Sequence, residues 1–244
     1  GDMRGDEIGL HPHGVVRNGR WDVDPFIAED TRLFCAAGFA HPKTFVAGVW
    51  TFYPSTLALI EAEGYQVDAS VVAGPTPQRK VDEGGIVLYD YPASEALAAT
   101  EPYGVPYRLS RESVVRRGDS SVIEVPVSGH MPDFSPGAEN AVWKRYALYR
   151  ERVAATGVEI VEIYWHPYEL LRGYDSWEEE PRTTQNLTAF LVQAGSDPAV
   201  RFSSVYDAAM DWAAHAEEKD CLNRGGPARA ASLDAWDASP TNPS

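Results

Sequence analysis

Cysteine is scarce in this chain, which holds only Cys35 and Cys221. Two such residues in unrelated surroundings argue against a disulfide framework and lean the compartment toward the cytoplasm. Cys35 stands in the apolar run Leu33-Phe-Cys-Ala-Ala37, so it is expected as a buried free thiol. Long hydrophobic runs are missing too. No apolar stretch reaches the ~18 residues of a membrane-spanning helix, so none is expected. No signal peptide is expected either. Positive charge is in deficit, with 21 Lys and Arg against 36 Asp and Glu, a formal net charge of -15. That balance argues against nucleic acid or anionic membrane as a bulk electrostatic partner and leaves neutral partners such as glycans open.

What is present is ordinary globular material: 244 residues, 44% hydrophobic and 23% charged, enough for a real core. Seven Trp and twelve Tyr suit sugar stacking, although core packing accounts for most of them. The ordered domain is expected over residues 1–218. Residues 219–244 are rich in Gly, Pro, Ala, Ser and Asp and are expected as a disordered tail.

The chemistry starts at Glu7-Ile-Gly-Leu-His11-Pro-His13. On an extended segment, residues i and i+2 face the same side. His11 and His13 can therefore aim two imidazoles at one point, at a strand end marked by Pro12. Such pairs commonly hold zinc or a similar divalent metal. Two half-exposed loop histidines are the plain alternative.

Further elements follow in alternation. A polar loop spans Gly14–Asp24. A helix over 26–37 has Asp24 as N-cap and Pro25 at its first position, and stops at Gly38. A strand at 44–47 precedes a helix over 56–63, capped by Ser55 and stopped by Gly64, then a strand at 67–72. Residues 73–109 form a long excursion with one hairpin around 86–91. Ser110 is expected to cap a short helix to Arg117, before a strand over 121–127. A helix over 139–155 leads into the apolar strand 158–165, which ends in His166-Pro167-Tyr168-Glu169. A helix over 184–194, a short strand at 200–202 and a helix opened by Ser204-x-x-Asp207 and running to Glu217 complete the series. This alternation predicts an α/β fold with a parallel sheet or barrel.

Four stretches in order resemble the polysaccharide deacetylase (NodB homology) family, the family 4 carbohydrate esterases. Glu7-Ile-Gly-Leu-His11 is similar to its histidine motif. Phe45-Val-Ala-Gly48, with Ser55 to Gly64 and Val67-Asp-Ala-Ser-Val71 behind it, is similar to its third motif and the elements after it. Ile163-Tyr-Trp-His166-Pro resembles the late histidine motif, and Val200 to Ala208 the closing strand and helix. The resemblance implies a distorted (β/α)7-type barrel, a divalent metal with zinc first, and hydrolysis of N- or O-acetyl groups on a sugar or polysaccharide. It covers residue 5 to about 215. Three positions depart from the family. Only Gly1–Asp6 precede Glu7, so the barrel is expected without its first strand-helix unit and its paired aspartates. Val46 stands where the family has arginine, and Val15 where it has its second metal histidine, so His13 must substitute.

Deacylation needs a polarised carbonyl, an activated water and a proton for the leaving amine. His11 and His13 are the expected metal ligands. The resemblance gives His166 the role of general acid; Glu169, three residues on, is a candidate to orient or charge-stabilise it, with a surface carboxylate as the plain alternative. Asp22 is the candidate base; Asp22 and Asp24 are also the nearest candidates for a third ligand, against plainer roles as loop acid and helix cap. Trp50, Tyr168 and His130 are candidates for the sugar-binding surface. Two rival readings stand beside this one. One is a deacetylase-like protein that only binds glycan or a partner. The other is an amidohydrolase-like metal hydrolase drawing on His130, His166 and Asp207. A homo-oligomer is open.

Overall fold

The computed structural model describes residues 7–72, 78–81, 83–91, 105–130, 147, 150–151, 160–164, 166, 170–171 and 181–223. The segment expected as a polar loop is a hairpin. Strands β1 (Val15–Arg17) and β2 (Arg20–Asp22) pair antiparallel, joined by Asn18 and Gly19, whose φ values are 51° and 77°. Two successive positive φ values are what an Asn-Gly turn between twisted strands requires. After a single turn at Asp24–Phe26, helix α1 runs over Ile27–Ala36 and ends before Gly38, whose φ is 91°. Asp24 does not cap it; its carboxylate accepts the Thr56 hydroxyl at 2.6 Å instead. Cys35 is exposed, not buried. The buried face of α1 carries Ile27 and Thr31; Cys35 continues that face by spacing but lies in the last turn of the helix, where it is exposed.

Strand β3 (Thr44–Phe45) leads to α2 (Pro54–Glu63), which ends at Gly64 with φ 88°. Ser55 is not its cap. Pro54 takes the first helical position, and the Thr56 hydroxyl accepts the Tyr53 N–H at 3.3 Å. Strand β4 (Val67–Asp68) follows. The expected hairpin in the long excursion is β5 (Gln78–Val81) against β6 (Val87–Tyr91), and β6 also lies parallel to β2. Next come β7 (Tyr107–Arg108), β8 (Ile123–Glu124), β9 (Val127–His130) and β10 (Glu162–Tyr164), then α3 (Pro181–Ser196) and α4 (Val205–Asn223). No helix forms at 110–117. The Ser110 hydroxyl accepts Glu112 N–H at 3.2 Å, and a bridge between Leu109 and Arg117 closes the segment as a loop. Residues 200–202 are not a strand. Apart from 147, 150 and 151, which are helical, the helix over 139–155 lies outside the described residues, as does the tail from 224. The last helix passes the expected end at Glu217, because no Gly or Pro interrupts it before Gly225.

The strands that place the site are parallel and follow chain order. Leu10 bridges Phe45, β3 pairs β4, β4 pairs β8, Val72 bridges Val127, and β9 pairs β10. Every residue from Val67 to Val71 is buried, as in a strand covered on both faces. Side chains alternate across it. Val67 packs with Ile123, Val125 and Ala209 under α4, while Asp68 and Ser70 share the other side. A second cluster joins Leu10, Ile27, Phe45, Leu57, Ile60 and Tyr65 beneath α1 and α2. The architecture is mixed α/β with small sheets and four helices among the described residues. No closed barrel is formed by those residues. No helix among them is long and apolar enough to cross a membrane.

Candidate functional site

The first parallel segment delivers the histidine pair. Leu10 N–H donates to Thr44 O at 3.0 Å, Val46 N–H to Leu10 O at 2.9 Å, and Gly48 N–H to Pro12 O at 2.9 Å. This ladder makes Leu10 and Pro12 buried and leaves His11 and His13 exposed on the same side. Their ring centroids are 4.9 Å apart and nearly perpendicular, at 88°. The two rings lie side by side on one side of the segment, as the i, i+2 spacing predicts.

His11 Nδ1 lies 2.9 Å from Val46 O. A carbonyl only accepts, so Nδ1 carries the proton and the Nε2 lone pair stays available. The same backbone-anchored arrangement orients metal-bound histidines generally. Partial burial holds the His11 pKa below its ordinary value. The Val46 carbonyl opposes that shift, and the nearby His13 and His166 add to it.

His166 thus shares the mouth with His11. It follows β10, is half-buried, and meets Tyr164 edge-on with centroids 6.0 Å apart. Tyr164 in turn packs edge-on against Trp50 at 4.5 Å. Trp50 ends the turn Gly48–Trp50, where Val49 and Trp50 have φ values of 52° and 58°. Gly48 presses on the histidine segment: a Cβ there would stand 2.6 Å from Pro12 O and 2.9 Å from His13 Cα. Two ring sets thus stand near each other, His11 with His13 and Trp50 with Tyr164 and His166, and the 48–50 turn packed on His13 lies between them.

Other expected residues fall differently. Asp22 belongs to the β1–β2 hairpin. Its Oδ1 accepts Asp24 N–H at 3.1 Å and its Oδ2 lies 3.5 Å from Arg17. The backbone of His130 lies beside Tyr164 in the β9–β10 register. Tyr168 and Glu169 lie outside the described residues. Asp207 lies in the first turn of α4, where its N–H donates to Ser204 Oγ at 3.0 Å, as the Ser-x-x-Asp spacing predicts. His41 and His215 hydrogen-bond local carbonyls, at 2.8 and 2.7 Å. Among the described residues, no three His, Cys, Asp or Glu side chains are grouped to hold a metal.

Sequence reasoning missed the acids beneath the mouth. Asp68 and Glu124 are directly paired across β4 and β8, and both are 0% exposed. Burial raises both carboxyls, Asp68 to about 6 and Glu124 well above its ordinary range, where the Asp68 charge pushes it further. Burial alone raises Glu162, on β10, to about 8. The available signal was an acid in the middle of each apolar run, in Val67-Asp-Ala and Val122-Ile-Glu-Val125.

Fold and site together define an α/β protein with ordered parallel strands and a histidine cluster at one mouth. No family model and no curated protein matches the chain. Among solved structures it is similar to a crystal structure from Mycobacterium smegmatis described as a "putative polysaccharide deacetylase". The TM-score is 0.47 and the identity 16%, over 79% of this chain and 57% of that one. A likeness at this level says nothing of activity.

Proposed function

We propose that this protein is a metal-dependent hydrolase that removes N- or O-acetyl groups from a sugar or polysaccharide, on a NodB-like barrel. The observation that carries the reading is the paired imidazoles of His11 and His13, with His11 Nδ1 anchored on Val46 O at 2.9 Å. The parallel strands in chain order support the barrel. His11 and His13 would hold a divalent ion, zinc first, through Nε2 of His11 and a nitrogen of His13. When bound, such an ion polarises an acyl carbonyl and lowers the pKa of bound water to about 7. His166, from another strand, would give a proton to the departing amine. Trp50 would supply an aromatic surface for the sugar, and His130 and Tyr168 are the further residues proposed to bind it.

The binding-only reading has one observation in its favour. Asp22, the candidate base, is held by Arg17 and by Asp24 N–H.

Zinc titration and acetyl release from chitin oligosaccharides test both readings. His11→Ala and His13→Ala should each lose bound zinc. His166→Asn should keep zinc and lose about 100-fold or more in rate. Unchanged zinc occupancy in both alanine variants would refute the metal pair. Zinc binding without acetyl release by the native chain would favour the binding-only reading.

A further inference from the structure

Beneath the histidine mouth runs a buried polar chain that the proposed chemistry does not use. Glu124 Oε1 accepts Val71 N–H at 2.9 Å. Its Oε2 is buried without a hydrogen-bond partner, and the residue stands directly opposite Asp68 in the β4–β8 pair. Burial and the neighbouring Asp68 charge favour the protonated form of Glu124, which leaves the negative charge on Asp68. The Asp68 carboxylate accepts Ser70 N–H at 3.2 Å and the Ser70 hydroxyl at 2.6 Å. The hydroxyl has one proton, so it is spent on Asp68. A lone pair of Ser70 Oγ then accepts Ala47 N–H at 2.8 Å.

Ala47 is the first residue of the turn that touches the site. Its carbonyl accepts Trp50 N–H at 3.1 Å. Between them, Gly48 is packed on Pro12 and His13, and Val49 and Trp50 sit in the left-handed region. A non-glycine residue there is strained and persists only where its surroundings enforce it. Ser70, 0% exposed, provides such a constraint from below. Asp68 and Glu124 fix the direction of its hydroxyl.

We propose that Ser70, oriented by Asp68 and Glu124, is a positioning residue that holds the 47–50 turn and thereby sets the placement of His13 and Trp50. It rests on the proposed metal reading only where zinc affinity is the readout.

The test compares Ser70→Ala, Ser70→Thr and a control, Thr31→Ala, by NMR and zinc titration. Thr31 is also buried, and its hydroxyl bonds Ile27 O and Tyr65 in the cluster beneath α1. In Ser70→Ala the His13 imidazole and Trp50 indole resonances should shift and zinc affinity should fall about tenfold or more. Ser70→Thr, which keeps the hydroxyl, should restore both. Thr31→Ala should move neither, although it loses stability. If Ser70→Ala does not fold, Ser70→Cys is read by the same resonances. A folded Ser70 variant lacking the hydroxyl with His13 and Trp50 signals unmoved would overturn the assignment, as would equal shifts in Thr31→Ala. If the native chain binds no zinc, the metal reading fails while the NMR comparison still decides the role of Ser70.

Discussion

Glu162 is half-buried with one carboxyl oxygen fully shielded, and Asp68 and Glu124 are wholly buried. An acid whose pKa is raised on folding keeps its proton in the native state while the unfolded chain gives it up. The native state then binds more protons, and stability falls as pH rises. For Glu162 the window runs from its ordinary 4.5 to about 8, with the contribution complete below the lower value. Asp68 and Glu124 act in the same direction. We expect the melting temperature to fall between pH 5 and pH 8. Glu162→Gln, an uncharged isostere, should flatten part of that slope. An unchanged slope in the variant would mean that Glu162 ionises as freely in the fold as outside it.

At the scale of elements, two glycines have different jobs. Gly19 has open space around its missing Cβ, so only its φ of 77° matters. Gly19→Ala should cost about 1 kcal/mol and leave zinc affinity alone. Gly48 is crowded by backbone on one side, and Gly48→Ala should cost about 1–3 kcal/mol while weakening zinc binding by displacing His13. Chemical unfolding with zinc titration separates the two; equal effects on zinc would refute the distinction. The same elements show what the sequence makes legible. Alternation made the His11–His13 pair readable, and glycine stops marked the ends of α1 and α2. The Asn18-Gly19 hairpin carried a strong local signal that the surrounding polarity masked. Ser110 looked like a helix cap because a hydroxyl satisfies a turn and a helix start equally well. The buried pairing of Asp68 with Glu124 was out of reach, because register between distant strands is not written in local periodicity.

Across the whole molecule, one carboxylate ties the beginning of the described fold to its last helix. Glu7 accepts the Thr44 hydroxyl and, at 2.9 Å, the Tyr206 N–H in the first turn of α4. Helix N-termini favour a negative charge, and the bond to Tyr206 satisfies a donor with no partner inside the helix. Glu7→Ala should cost about 1–3 kcal/mol. Amide exchange should accelerate first around residues 205–208. Faster exchange in α2 without any change in α4 would contradict this link.

The order of the strands has a consequence for synthesis. Each parallel strand after the Leu10 segment, through β8, finds a partner in a segment the ribosome has already released, so the arc can pair while the chain is still growing. The outer faces of Val67 and Ile123 must wait for Ala209 on α4. A nascent chain halted before Val205 would carry a paired sheet with a bare apolar flank, the kind of surface that chaperones bind.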